Sequence, residues 1–172
     1  MLEFDHLSRE KSHKKMTPLR TTILFALFWV PFSQAADEDN KTAPLFASND
    51  LLEVSIRAPF TSIMRIRSLE EEVPGTLTYN DPEAGEVTVD LEIRTRGRYR
   101  HQEEICPWAP LRLDFKKSTV KGTLFAGSDK IKMVTHCRAG STPNTQALLR
   151  EHLAYRIFNH VTDDSFRVRL LR

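Results

Sequence analysis

The run from Lys130 to Phe158 constrains this chain more than any other. Lys130-Ile-Lys-Met-Val-Thr-His-Cys137 is apolar and β-branched and has the length of a strand. A small-residue loop follows. Leu149, Leu153 and Ile157 then recur at helical spacing, with Ala154, Phe158 and Val161 beside them. Pro143 and Asn144 stand where a helix start wants a turn breaker and a cap. A lysine-bearing strand therefore leads into a helix of about 144–161 that carries an early acid, Glu151, and that is expected to turn the Leu149–Leu153–Ile157 stripe to a core.

The rest of the chain supplies strands for that helix to cover. Val87, Val89, Leu91 and Ile93 alternate with Thr88, Asp90, Glu92 and Arg94, the clearest strand in the sequence. Asn80-Asp-Pro-Glu-Ala-Gly85 is strong turn chemistry, so Thr76–Tyr79 and Val87–Arg94 read as a hairpin. Pro74-Gly75 reads as a break before it. Leu52–Arg57, Leu111–Phe115 and Phe166–Leu170 also alternate, and Lys116–Asp129 reads as a connecting loop. Phe60–Arg67 fits a turn or two of helix. The order implies an α+β fold, a mainly antiparallel sheet with one long C-terminal helix packed on it.

The first 35 residues read as a signal peptide. A short basic start at Met16–Arg20 precedes an apolar run, Ile23–Phe32, too short to span a bilayer. Ser33-Gln34-Ala35 is a small-x-small cleavage site ahead of acidic Asp37–Asp39. The polar residues before Met16 are unusual for such a leader and point to Met16 as the start. Residues 36–50 read as a flexible leader and 51–172 as the folded lobe. The alternation is still running at Arg172, which reads as the N-terminal part of a longer protein.

Cleavage after Ala35 removes five basic and three acidic residues, leaving a chain of balanced charge. No nucleic-acid partner follows from charge, and no membrane span remains after cleavage. The expected location is periplasmic or secreted. Cys106 and Cys137 are the only cysteines. In an exported protein an even pair argues for a disulfide, here worth roughly 3 kcal/mol. A metal site would have to recruit His101 and His136, but adjacent residues on a strand such as His136 and Cys137 point to opposite faces and chelate poorly.

Ile93-Arg-Thr-Arg-Gly97, Leu111-Arg-Leu-Asp-Phe115, Lys130-Ile-Lys-Met-Val134, Leu148-Leu-Arg-Glu-His-Leu-Ala-Tyr155 and Phe166-Arg-Val-Arg-Leu170 occur in one order. From Val87 to Arg172 this ordered set resembles the spore-coat protein H (CotH) kinase-like family and its exported, uncharacterised bacterial relatives. The resemblance implies the N-lobe of an atypical protein-kinase fold. It also implies ATP with Mg or Mn as cofactors and an exported protein as substrate, should the full-length protein be an active kinase.

Lys132 and Glu151 are then the candidates for the lysine–glutamate pair that orients nucleotide phosphates, with Lys130 as a second lysine. Arg96 and Arg98, with Arg94 and Arg100, would form a phosphate-facing ridge if the chain stayed extended. Each has a plainer reading: Glu151 as a first-turn helix acid, the arginines as a solvated strand end beside Glu92, Glu103 and Glu104. Tyr99, Trp108 and Phe115 are candidate stacking groups, with Phe115 the better core residue. The sequence departs from kinases in lacking a Gly-x-Gly-x-x-Gly loop. Gly122 and Gly127 lack the lysine of a P-loop, and no catalytic or metal-binding aspartate motif is present. No catalytic residue is assigned in this chain.

Overall fold

The computed structural model describes residues 2–4 and 43–172. The Ile23–Phe32 run and the cleavage site lie outside these described residues. The chain runs β1 (Leu2–Phe4), a 3-10 turn (Pro44–Phe46), β2 (Val54–Arg57), α1 (Phe60–Ile66), β3 (Val73–Asp81) and β4 (Gly85–Thr95). It continues through β5 (Leu111–Asp114), β6 (Lys130–Met133), α2 (Thr142–Val161) and β7 (Arg167–Arg169). The α+β class and the C-terminal helix are as the sequence implies.

The β3–β4 hairpin forms the centre. Leu77 lies opposite Val89 and Tyr79 opposite Val87, so the alternating apolar positions of both strands share one face. Asp81 makes the turn: its Oδ1 accepts the amides of Glu83 and Ala84. Those two donors hold its carboxyl below the usual range. The strand does not break at Pro74-Gly75 but runs through both, pairing them with Glu92 and Leu91. Pro74 lies beyond the last β2 partner, Arg57 opposite Thr76, so its missing N–H costs no bond to β2. Gly75 is required by contact: a Cβ there would come within 2.9 Å of both the Arg57 carbonyl and Ile93 Cδ1.

The sheet order is β2-β3-β4-β5-β6-β1-β7, every neighbour antiparallel. After β7, Leu171 pairs in parallel with Leu52, just ahead of β2. The Leu52 amide donates to the Leu170 carbonyl, and the Arg172 and Val54 amides bond across the same junction. The two edges of the sheet are thus joined and the apolar face is enclosed.

What fills that enclosure was not visible in the alternation. The segment between β5 and β6, expected as a plain connector, folds back and buries Val120 and Phe125 completely. Phe125 stacks on Phe115 at 4.9 Å and meets Tyr79 edge-on at 5.6 Å. The Tyr79 hydroxyl accepts the Leu124 amide. Leu45 and Phe46, placed by sequence in a flexible leader, are also buried. The continuous folded stretch therefore begins by Ala43, earlier than the expected Leu51, and Leu2–Phe4 joins its sheet. Arg169, itself buried, donates to the carbonyls of Leu45 and Asp50 and fastens that segment.

With the inner face filled, α2 packs outside, and on a different stripe from the expected one. Leu148 and Tyr155 join Val134 and Val168 in a small second cluster. Tyr155 also meets Phe166 edge-on. Leu149, Leu153, Ile157, Phe158 and Val161 are 46–79% exposed, and no residue of α2 is fully buried. Positions 148, 152, 155 and 159 form one face at about 100° per residue, and the Leu149–Leu153–Ile157 stripe lies well round from it. Helical spacing reported a stripe truly present but could not say which face of the helix meets the sheet.

Candidate functional site

The end of β4, the following loop and the first half of α2 meet at one corner, where Arg100 reaches Glu151. The loop of residues 96–110 is held there by three devices. Arg67 is the first: a left-handed residue (φ 50°) closing α1, its guanidinium donates to the carbonyls of His101, Cys106 and Pro107. His101 returns a bond from its ring Nε2 to the Arg67 carbonyl. A disulfide between Cys106 and Cys137 is the second, as expected, and it ties the loop to the segment that enters α2. Antiparallel bridging of Trp108 to Cys137 is the third. Trp108 rests one side on Phe60 at 5.8 Å and leaves the other to solvent, while Phe115 is core.

The arginines do not form a ridge. The strand ends at Thr95, and Gly97 takes φ 103°, which turns the chain away. Arg94 pairs with Glu72 at 3.1 Å and Arg100 with Glu151 at 3.3 Å. Neither partner is among the acids adjacent in sequence. Arg96 is half-buried and Arg98 exposed, and no ion pair holds either among the described residues.

Lys132 lies on the outer, helix-facing side of the sheet, since Ile131 is inside. Its Nζ sits 4.5 Å over the Phe166 ring. Phe166 touches Tyr155, one turn of helix after Glu151. Lys132 and Glu151 are thus on the same side of the sheet, but the ion pair Glu151 makes is with Arg100. Lys130 pairs with Asp114 at 3.7 Å. The cation that sequence reasoning missed is Arg112. It lies between Arg94 and Lys132 in register, which lines up three cations across β4, β5 and β6. Its Nε is buried without a hydrogen-bond partner. The alternation of Leu111 and Leu113 already put Arg112 on the outer face, so the signal was present.

Farther along this outer face is an open depression of about 490 Å³ whose lining includes Asp90, Glu92, Asp114 and Lys116. Asp114 is pushed above the usual carboxylate range, first by burial and then by the charge of Glu72. Among the described residues no three His, Cys, Asp or Glu side chains are grouped to hold a metal ion, and no helix is long and apolar enough to cross a membrane. No protein-family model, curated protein or solved structure matches this chain.

Proposed function

We propose that this protein is an exported, non-catalytic interaction module built on a scaffold resembling the N-lobe of a CotH-like kinase. The observation that carries this reading is the Arg100–Glu151 pair. The one acid on α2 able to orient a strand lysine is committed to a loop arginine, and the loop is held by Arg67 and the disulfide. The corner is built to fix a loop against a helix rather than to receive phosphates. The cysteine pairing agrees with an oxidising compartment outside the cytoplasm.

A second reading, nucleotide binding, is favoured by one feature, the row Arg94–Arg112–Lys132 with the buried, unpartnered Nε of Arg112. A ligand that binds only the folded state raises stability, by about 2.7 kcal/mol at a hundredfold excess over its Kd. Melting the full chain with ATP and magnesium or manganese separates the two. The module reading expects no shift in Tm. A shift abolished by Arg112→Gln would overturn it in favour of the second.

A further inference from the structure

The sheet contains one strand that the export reading removes. β1 lies between β6 and β7 and is antiparallel to both, so β6 and β7 run parallel to each other one strand-width apart. Leu2 lies opposite Met133 and Arg169, Glu3 opposite Lys132 and Val168, and Phe4 opposite Ile131 and Arg167. If translation starts at Met16, or the leader is cut after Ala35, the exported chain lacks Leu2–Phe4. The facing edges of β6 and β7 are then about 9–10 Å apart, twice the usual strand spacing, too far to pair with each other. Their inward main-chain groups need partners, because an unpaired buried N–H or C=O costs as much as a lost hydrogen bond.

We propose that the gap between β6 and β7 is an acceptor slot for one antiparallel strand, plugged by Leu2–Phe4 in a chain translated from Met1 and by an extended segment of a partner protein after export. This inference rests on the export reading and gives the interaction module its class of ligand. The register states the ligand's pattern. Its first and third positions fall beside Met133 and Ile131 on the β6 side, whose row faces the enclosed core, and beside Arg169 and Arg167 on the β7 side; they take apolar residues that can cover the former and the aliphatic stems of the latter. Its middle position falls on the outer face between Lys132 and Val168 and takes an acid for Lys132. Leu-Glu-Phe has that pattern. Main-chain bonds would supply affinity and the alternate positions specificity, as in other cases of strand addition.

The full chain and its Glu3→Pro variant, compared by hydrogen exchange, test the slot. Proline removes a ladder donor from β1. Exchange should rise at least about tenfold over 131–134 and 167–169 and stay unchanged over the β3–β4 hairpin. The peptide Met-Leu-Glu-Phe-Asp-His, added in excess, should restore protection; the same peptide with lysine for glutamate should not. Equal exchange in the two chains, or no response to the acidic peptide, overturns the slot. Should the variant not fold, the wild-type chain carrying a protease site between residues 33 and 37 is cut after folding and offered the labelled peptide. Failure of the peptide to enter overturns the slot equally. N-terminal sequencing of the protein recovered from cells reads the export step separately. An intact Met1 overturns export and the partner strand together, while the exchange result still decides whether the slot exists. A processed chain that dimerises with the slot protected assigns the strand to a second copy and overturns a separate partner.

Discussion

The enclosed sheet and the long helix are built to different standards. Around Leu77, Ile93, Leu113, Phe115 and Phe125 every large side chain is buried, and main-chain pairing runs from β2 round to the Leu52–Leu171 junction. α2 touches the rest through Leu148, Tyr155 and a few polar contacts, with most of its apolar surface uncovered. Two cooperative levels in one small unit follow, because segments with few buried contacts open at lower free energy than the core they lean on.

The largest expected effect sharpens the contrast directly. Phe125→Ala should cost about 3–5 kcal/mol in denaturant unfolding, as for a fully buried aromatic. Leu153→Ala, at an equally apolar position of α2, should stay within about 0.5 kcal/mol. Similar losses for both would mean that the helix stripe is covered in solution and that the contrast is wrong.

Next comes the tether between the two regions. Cys106 and Cys137 are 31 residues apart, and the bond joins the loop before β5 to the entry of α2. Replacing both with serine should lower stability by about 3 kcal/mol. Hydrogen exchange should rise first in α2 and the 96–110 loop and last in the hairpin. Uniform loss of protection would show one cooperative unit instead of two.

The smallest effect is set by pH. His152 lies on the docking face of α2 with its Nδ1 buried and unpartnered. Burial first, then the charge of Arg156, hold its pKa below the ordinary 6.5. The unfolded chain therefore takes up more protons than the folded one as pH falls from about 6.5 towards the lower folded value. Stability is undisturbed above that window and declines through it. Helix protection should weaken between neutral and mildly acidic pH in the wild type and stay level in His152→Gln. The same decline in the variant would assign it to another group.

Period-two alternation located β4 correctly because a strand with one enclosed face has only two ways to turn its side chains. The same alternation sets Lys132 and Arg112 on the outer face, although only Lys132 was singled out from it; the cysteines were paired instead by the even count in an exported chain. It failed where a residue's role depends on a distant neighbour. Pro74-Gly75 reads locally as a break, yet Gly75 is there because the Arg57 carbonyl and Ile93 crowd it. Phe125 sits among loop residues and carries no periodic signal, and its burial depends on Phe115 and Tyr79 being where they are. The helix was misjudged in orientation, not existence: the more apolar stripe, Leu149–Leu153–Ile157, faces out, the mixed one, Leu148–His152–Tyr155–Asn159, meets the sheet, and the enclosed sheet that chose between them is a property of the whole chain. At the candidate site, Arg100 and Glu151 are 51 residues apart, and nothing local announces their pairing.

The junction of Leu52 with Leu171 has a mechanical meaning. The two segments run parallel. Tension applied through Ala43 and Arg172 would drag them in opposite senses along their common axis. The bonds from the Leu52, Val54 and Arg172 amides would then share the load together instead of peeling one after another. Forced opening is governed by the rate of crossing the unfolding barrier, and a shear clasp of this kind raises the force needed to cross it. α2 lies in the chain between the two clasped segments, so it carries no load until that clasp lets go.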